Sequence, residues 1–306
     1  MVGACLIGLV FAHTAPAYGT AVERDVVYST TKGYWCSAPV GVKGTTAKLI
    51  PQLAKMRPLE LKMDIYKPEE DGSAPRPLLL MMHGGSFFVG HKEEKGQAGW
   101  CEYFASLGYV AVSINYRLGF LPTRGGLAEA EDRALEDADA ALRYLLGRKD
   151  LRIDPDYIFA AGTSAGAMLA LRLAFRPAGD HPHIRAVANC WGSVHDLAAL
   201  ELSNTAILSF QSPTDPVMPY GRGYPFHTGE HGFWPPTNWF SEAMYGTKAV
   251  HDRAVELGLR AEHHPCPETG HRLHIGPDGN YTPRFYEIRD SMVAFFAKEF
   301  GEESPN

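Results

Sequence analysis

The sequence predicts an α/β protein with a mainly parallel central sheet of about eight strands and helices on both faces. Short apolar runs without alternation are typical of strands that are covered on both faces. Six such runs occur in the chain, at Leu78–Met82, Val110–Ile114, Tyr157–Ala161, Val187–Trp191, Ala206–Phe210 and Ala261–His264. Helical patterns lie between them, and this alternation favours parallel strands joined by right-handed crossovers.

Two further strands complete the expected sheet. Apolar residues alternate with other residues over Leu59–Tyr66, which predicts a half-buried strand. The stretch Val22–Pro58 shows few periodic signals, so we expect it to be irregular with one edge strand.

Four segments have the apolar spacing of helices. Glu129–Leu146 carries a continuous apolar face, formed by Ala134, Leu135, Ala138, Ala141, Leu142 and Leu145. The other three are Ala165–Phe175, Thr247–Leu257 and Phe285–Phe300. Ligands of such folds bind beyond the carboxyl ends of the strands, so residues that carry chemistry should follow the apolar runs directly.

The composition is that of an ordinary globular protein. A chain of 306 residues with 45% hydrophobic and 21% charged residues can form one large core. The net charge of −6 indicates no basic surface, and we expect neither nucleic acid nor anionic lipid as a partner. No apolar stretch after the N-terminus is long enough to span a membrane. The composition leaves the oligomeric state open.

Residues 1–17 have features of a signal peptide. The apolar run Ala4–Ala12 precedes Ala15-Pro16-Ala17, which has the small-residue pattern of a signal-peptidase site. No Lys or Arg precedes the run, so a buried or frayed N-terminal strand is the alternative. The first interpretation predicts an exported protein, secreted or periplasmic, with one domain over residues 18–306. The second predicts a cytoplasmic protein.

Loss of Cys5 with a leader would leave four cysteines, Cys36, Cys101, Cys190 and Cys266. An even number is compatible with disulfides in an exported protein but indicates no pairing. Cys190 lies inside an apolar run, so we interpret it as a small buried hydrophobic residue. The chain has no C-x-x-C pair and its histidines are scattered, so we expect no metal site and no cofactor.

The segment Gly162-Thr163-Ser164-Ala165-Gly166 follows the run Tyr157–Ala161 and opens a predicted helix. A G-x-S-x-G sequence in this context places the serine on a strained turn at the sheet edge, where helix amides favour developing negative charge. Ser164 is therefore the candidate nucleophile. The alternative is that Ser164 only caps the helix between two packing glycines.

A glycine-rich turn, His83-Gly84-Gly85-Ser86, follows the run Leu78–Met82. Glycines let backbone amides approach a substrate oxygen with no side chain in the way. We expect an oxyanion hole that combines an amide of Gly85 or Ser86 with that of Ala165. A plain turn after a strand is the alternative. We expect His83 to brace the turn by hydrogen bonding.

These pieces resemble the α/β-hydrolase superfamily, specifically its carboxylesterase/lipase branch with an HGGG-type loop. The matching segments are Met63–Pro68, His83–Phe87, Ile114–Gly119, Gly162–Gly166, Thr214–Pro219 and Gly270-His271. The chain departs from the family pattern at Ser86, where a third glycine is usual. It departs again over Gln211–Asp215, where similar proteins often have a histidine-glycine pair before the acid.

The resemblance implies a catalytic triad in the order serine, acid, histidine. Asp215 and His271 each follow an apolar run and are the candidates for acid and base. Asp196 is the alternative acid, although it also stands where it would cap Leu197–Leu202. Two further histidines are alternative bases, His264 and His274.

Residues 218–240 form a long loop, rich in Gly, Pro and aromatic residues, directly after the candidate acid. Long loops in this place often cover a site. The hypothesis is that aromatic residues give the substrate pocket an apolar wall, and the alternative is a cluster that only holds the loop together. The candidates in the loop are Tyr220, Phe226, Phe233 and Trp234. Trp191 and Tyr116, at the ends of predicted strands, are further candidates.

The resemblance implies a serine carboxylic ester hydrolase that works through an acyl-enzyme intermediate without a cofactor. Its partner would be a small-molecule or polymer-linked ester substrate. Two alternatives share the fold, a serine peptidase of the prolyl-oligopeptidase kind and a catalytically inactive binding protein. The chain has no room for the propeller domain of the first and keeps every part that the second commonly loses.

Overall fold

The computed structural model describes residues 16–69, 74–177, 179, 181–226 and 241–300. Its strands are β1 (Thr20–Gly33), β2 (Arg57–Pro68), β3 (Arg76–Met82), β4 (Val110–Ile114), β5 (Ile153–Thr163), β6 (Ala186–Cys190), β7 (Ala206–Gln211), β8 (Arg222–Gly223), β9 (Met244–Tyr245) and β10 (Ala261–Pro265). Its α-helices are α1 (Thr45–Leu49), α2 (Lys95–Ser106), α3 (Gly126–Gly147), α4 (Ala165–Ala174), α5 (Thr247–Glu256) and α6 (Pro283–Ala297).

The predicted α/β architecture is confirmed. Within the described residues, eight strands form one sheet in the order β1-β2-β4-β3-β5-β6-β7-β10, and β8 pairs with β9 in a separate ribbon. The pairs β1/β2 and β2/β4 are antiparallel, and the remaining pairs of the large sheet are parallel. The parallel half therefore directs the ends of β3, β5, β6, β7 and β10 to the same edge.

The sheet separates two apolar clusters, and alternate residues of a strand enter different ones. On β3, Leu78, Leu80 and Met82 belong to one cluster, and Leu79 and Met81 belong to the other. Helices α3, α4 and α5 cover the first face with residues such as Ala134, Leu169 and Val250. Helices α2 and α6 cover the second with residues such as Trp100, Phe104 and Phe296. Both faces are thus covered, as the continuous apolar runs predict.

Helix α2 has no counterpart among the predicted helices. Its buried face combines Trp100, Cys101 and Phe104 with Gly96 and Gln97. Small and polar residues therefore interrupt the apolar pattern that would have indicated the helix.

The expected edge strand is confirmed as β1. It begins at Thr20, before the stretch Val22–Pro58 in which the sequence predicts an edge strand, and it is a long, regular strand. It pairs with β2 in a register that runs from Thr20↔Pro68 to Gly33↔Arg57. Because β1 lies at the end of the sheet, it pairs on one side only and most of its residues remain partly exposed. This position explains its weak apolar periodicity.

The candidate signal peptide falls almost entirely on residues 1–15, which lie outside the described residues, so it stays a prediction. The backbone amides of Ala17 and Tyr18 donate to the carbonyl of Ser106 at 2.9 and 3.1 Å, which joins this segment to the end of α2. In the described ranges we find no helix with the length and apolar character needed to cross a membrane.

The four described cysteines are free thiols, so the disulfides that their number would allow are not formed between them. Cys190 is 1% exposed, which confirms its interpretation as a small buried hydrophobic residue. Burial raises the pKa of the Cys101 and Cys190 thiols, which keeps them protonated and unreactive.

Replacement of Gly166 by Ala is expected to destabilise the protein. An added Cβ would lie 2.1 Å from the carbonyl oxygen of Met82 and 2.5 Å from that of His83. Both obstacles are backbone atoms, so α4 would have to move away from β3, at a cost of about 1–3 kcal/mol. Equilibrium urea unfolding should show this loss in the free energy of unfolding.

Gly147→Ala is the matched control for this experiment. An added Cβ at Gly147, the last residue of α3, meets nothing within 4 Å. Its free energy of unfolding should stay the same or rise, since Ala restricts the unfolded chain more than Gly. Equal stabilities of the two variants would contradict the close contact between α4 and β3.

Candidate active site

Ser164 joins the end of β5 to the start of α4. Its backbone φ of 53° and ψ of −121° lie in a region that residues with a side chain rarely adopt. The Ser164 amide donates to the carbonyl of Cys190 at 2.9 Å, which fixes the turn against β6. The side chain of Ser164 makes no capping hydrogen bond. Ser164 therefore occupies the N-cap position of α4, but its hydroxyl is not used to cap the helix.

Close packing around this turn requires glycine at two positions. An added Cβ on Gly162 would lie 2.3 Å from the backbone carbonyl carbon of Gly166, because β5 and the first turn of α4 touch there. An added Cβ on Gly84 would lie 2.9 Å from the carbonyl oxygen of Thr163 and 3.3 Å from Cβ of Ser164. The glycine-rich turn after β3 therefore lies directly against the serine.

Three side chains that follow three different strands form one hydrogen-bonded chain. Oγ of Ser164 lies 2.7 Å from Nε2 of His271. Nδ1 of His271 lies 2.8 Å from Oδ2 of Asp215 and 3.0 Å from Oδ1. Asp215 follows β7 and His271 follows β10, and these strands run parallel to β5. The fold thus brings together the three residues that the motifs single out.

The carboxylate of Asp215 is fully buried, and both oxygens accept hydrogen bonds. The backbone amides of Val217 and Met218 donate to Oδ1 at 2.8 and 3.1 Å. The side-chain amide of Gln211 donates to Oδ2 at 3.2 Å. These donors satisfy the buried oxygens and orient the carboxylate toward His271.

Gln211 is a residue of the site that the motifs do not identify. Its Nε2 also donates to the carbonyls of Met218 and Pro219, at 3.0 and 3.3 Å. Its Oε1 accepts hydrogen bonds from the amide and the hydroxyl of Thr247, at 3.2 and 2.8 Å. Gln211 therefore ties the loop of Asp215 to the start of α5. A glutamine at the end of a buried strand is the signal that could have found it.

The alternative acid and one alternative base take no part in this hydrogen-bonded chain. Asp196 accepts from the amide of Ala198 at 2.9 Å and caps the short helix Leu197–Leu202. His264 lies on β10 with its ring stacked on Phe210. Within the described ranges, no group of three or more His, Cys, Asp or Glu side chains is arranged to hold a metal ion.

His83 braces the turn after β3, as expected. Its Nδ1 donates to the carbonyl of Gly84 at 2.7 Å, and its ring stacks on Tyr116 with the centroids 4.3 Å apart. Tyr116 donates its hydroxyl to the carbonyl of His83 at 2.6 Å. Tyr116 is fully buried beneath the turn and is absent from the lining of the cavity that opens over Ser164, so it is not part of the wall suggested for it.

The same turn presents backbone amides beside the serine. Gly85, Ser86 and Phe87 all have positive φ values, of 111°, 56° and 55°. Within the described part of the chain, the amides of Gly85, Ser86 and Ala165 donate to no backbone carbonyl. Amides without an acceptor beside a cavity are free to bind an oxygen atom of a ligand.

A cavity of about 450 Å³ opens over Ser164 and His271. Trp191 and Phe226, two of the predicted wall residues, line it. A smaller cavity of about 30 Å³ adjoins it and shares Ser164 and Phe226. The lining of this second cavity is mostly apolar and includes Phe120, Met168, Met218 and Met244.

The loop over residues 218–240 is described only as far as Phe226. Phe233 and Trp234 lie outside the described residues, so the wall hypothesis for them stays a prediction. Tyr220 lies away from the cavity lining, with its ring 5.4 Å from that of His263.

The architecture is that of an α/β hydrolase, and solved structures of esterases share it. Esterase 2 of Thermogutta terrifontis superposes with a TM-score of 0.58 at 20% sequence identity, over 94% of this chain and 96% of that one. Esterase B of Lactobacillus rhamnosis superposes with a TM-score of 0.57 at 15% identity, over 95% of this chain and 91% of that one.

The BD-FAE family model matches residues 63–228, more than half of the chain. The chain therefore belongs to the BD-FAE family, an α/β-hydrolase esterase domain. Both expectations from the motifs, the superfamily and its esterase branch, are confirmed.

Curated relatives match over part of their length. A non-reducing polyketide synthase of Aspergillus novofumigatus is 31% identical over 179 residues, which are 54% of this chain and 7% of that protein. Gut esterase 1 of Caenorhabditis elegans is 29% identical over 120 residues, which are 38% of this chain and 21% of that protein. The match thus spans less than a tenth of the synthase and about a fifth of the gut esterase.

The stability of the fold is expected to fall as the pH decreases from about 6.5 to about 4. Burial lowers the pKa of His274 to about 3 and that of His83 to about 4, from an ordinary value of 6.5. Below pH 6.5 the unfolded chain binds protons that the folded chain does not bind, so protonation favours unfolding. Stability present above pH 6.5 is therefore lost as the pH falls toward these lowered values.

The variant His274→Phe isolates this effect. Phenylalanine keeps a ring between Trp100 and Trp191, whose centroids lie 5.1 and 5.3 Å from that of His274, but it binds no proton. The difference in free energy of unfolding between pH 7 and pH 4.5 should be smaller in the variant than in the wild type. An identical pH dependence would rule out the buried His274 as a cause.

Proposed function

We propose that the chain is a serine carboxylic ester hydrolase that works through an acyl-enzyme intermediate, with Ser164 as nucleophile, His271 as general base and Asp215 as the supporting acid. The continuous hydrogen-bonded chain from Oγ of Ser164 to the buried carboxylate of Asp215 carries the proposal. A serine hydroxyl becomes an effective nucleophile when an adjacent base accepts its proton, and Nε2 of His271 lies within that reach.

In the proposed mechanism, His271 accepts the proton of Ser164 as Oγ attacks the carbonyl carbon of the ester. Asp215 holds Nδ1–H of the imidazole and stabilises the imidazolium that forms. The tetrahedral intermediate collapses when Nε2 returns the proton to the leaving alcohol oxygen. Water then attacks the acyl-enzyme by the same route and releases the carboxylic acid.

The proposed oxyanion hole consists of backbone amides from two segments. The amide of Ala165 lies at the start of α4, where the helix amides favour negative charge. The amides of Gly85 and Ser86 lie in the turn that packs against Ser164. Ser86 stands where a third glycine is usual, and its backbone amide is still in position to donate. One such donor typically contributes about 10²–10³ to the rate.

The step in which His271 returns the proton indicates which cavity holds the alcohol part of the ester and which holds the acyl part. Nε2 of His271 has to reach the leaving oxygen, so the alcohol occupies the large cavity that His271 lines. The small cavity has no contact with His271 and is lined by apolar side chains such as Met168 and Met244. It suits a short apolar acyl group.

The substitution Ser164→Ala tests the proposal. Hydrolysis of 4-nitrophenyl acetate should fall by roughly 10³-fold or more, because no nucleophile remains for acylation. Ser106→Ala, at the far end of α2, is the matched control and should keep the wild-type rate. Equal slow rates in wild type and Ser164→Ala would favour the inactive binding protein, and selective cleavage of peptides would favour a peptidase.

A pair of Asp→Asn substitutions distinguishes the two candidate acids. Asp215→Asn should lower kcat by roughly 10³–10⁴-fold, since a neutral amide neither holds the required tautomer nor stabilises the imidazolium. Asp196→Asn should leave kcat nearly unchanged, because Asn is also a good helix cap. The reverse order of the two effects in steady-state assays would contradict the assignment.

A further inference from the structure

The hydrogen bonds behind Asp215 continue through Gln211 to two further side chains, Thr247 and His263. Oγ1 of Thr247, the first residue of α5, donates to Oε1 of Gln211 at 2.8 Å. Nε2 of His263, on β10, lies 3.1 Å from the same hydroxyl oxygen. Gln211 and Thr247 are fully buried, and His263 is partly buried. A chain of side chains thus runs from the carboxylate of Asp215 to β10.

The direction of each hydrogen bond in this chain follows from the groups around Gln211. Its Nε2 faces three oxygen acceptors, which belong to the carboxylate of Asp215 and the carbonyls of Met218 and Pro219. Its Oε1 faces the backbone amide of Thr247 as well as the hydroxyl. The opposite orientation of the amide would set oxygen against oxygen and N–H against N–H. The hydroxyl proton of Thr247 therefore points to Gln211.

His263 supplies the last donor of the chain. A hydroxyl has one proton, so Oγ1 of Thr247, which donates to Gln211, accepts from Nε2–H of His263. Burial lowers the pKa of His263 to about 4, so the ring is neutral at pH 7 and its single proton lies on Nε2. Every donor in the chain thus points toward the carboxylate of Asp215, and hydrogen bonds in such a chain polarise one another.

The same chain joins the strand that leads to the base with the loop that holds the acid. Strand β10 lies at the end of the sheet of the described residues and pairs with β7 on one side only. Just after β10, the amide of Cys266 donates to the carbonyl of Gln211 at 2.8 Å. His271 lies in the loop that follows. A shift of β10 or α5 would therefore move Nδ1 of His271 relative to the carboxylate of Asp215.

We propose that Thr247 and His263 are positioning residues, which act through Gln211 on the orientation of the acid. This inference rests on the proposed function, because the orientation of Asp215 affects a rate only if His271 acts as the base. Neither Thr247 nor His263 lines either of the two cavities, so neither side chain contacts the substrate. Their loss should therefore lower kcat and leave KM unchanged.

The variant Thr247→Val removes the hydroxyl and keeps the shape of the side chain. In steady-state hydrolysis of 4-nitrophenyl acetate, kcat should fall about fivefold to tenfold, as expected for the loss of one buried hydrogen bond, with KM within about twofold of the wild type. Thr247→Ser keeps the hydroxyl and should bring kcat back to within about twofold of the wild type.

Thr205→Val is the matched control for this variant. Thr205 is as buried as Thr247, and its hydroxyl donates to the carbonyl of Ile184 at 2.6 Å. It lies just before β7, at the end of this strand that is away from Asp215. The substitution should lower the free energy of unfolding and leave kcat unchanged. An equal loss of kcat in Thr205→Val, or a higher KM in Thr247→Val, would overturn the positioning role.

The variant His263→Phe tests the far end of the chain. It removes the donor and keeps a ring next to those of His251 and Tyr220, whose centroids lie 5.5 and 5.4 Å away. It should lower kcat about twofold to fivefold, and adding it to Thr247→Val should cause no further loss, because both act through one chain. His264→Phe, on the opposite face of β10, is the control and should keep the wild-type kcat. Additive losses would contradict a single chain.

The Nδ1–H proton of His271 gives a readout that does not depend on turnover. Its ¹H NMR resonance reports the hydrogen bond to Asp215 and should shift in Thr247→Val but not in Thr205→Val. If Ser164 is required for hydrolysis by the wild type, an unchanged kcat or an unchanged resonance in Thr247→Val would overturn the inference and leave the proposed function intact. A folded wild type without Ser164-dependent hydrolysis would refute the proposed function, and the inference with it.

Discussion

The site depends on a backbone contact between the end of β5, the start of α4 and the end of β3. Gly162, Gly166 and Gly84 let these backbones approach to distances that a single Cβ would prevent. The contact holds Ser164 in its strained conformation and places the turn with the free amides beside it. Without this approach, neither the hydroxyl nor the amides would face a common point.

The hydrogen-bonded chain is in turn held by buried polar groups behind it. Asp215 is fixed by two backbone amides and by Gln211, and Gln211 is fixed by Thr247 at the start of α5. Because each of these buried polar groups has a hydrogen-bond partner, the network is rigid. Proton transfer between Ser164 and His271 requires such a fixed geometry. Gln211 therefore orients Asp215 in a loop that departs from the usual family pattern.

Much of the fold can be predicted from local sequence patterns, because tertiary packing does not override them. Strand β4 is a continuous apolar run and helix α3 has a continuous apolar face, so the sequence predicts both closely. The G-x-S-x-G and glycine-rich turns predict the place of Ser164 and Gly85. Helix α2 and the hydrogen bonds of Gln211 could not be predicted in this way. They depend on contacts with residues far along the chain, such as His274 and Thr247, which no local pattern encodes.

Covalent trapping tests the central claim most directly. A 4-nitrophenyl alkylphosphonate resembles the tetrahedral intermediate and should modify the one serine that a neighbouring imidazole activates. We expect one equivalent of adduct, located by peptide mass spectrometry on Ser164, and its loss in His271→Ala. An adduct on another residue, or equal labelling of the wild type and His271→Ala, would contradict the account.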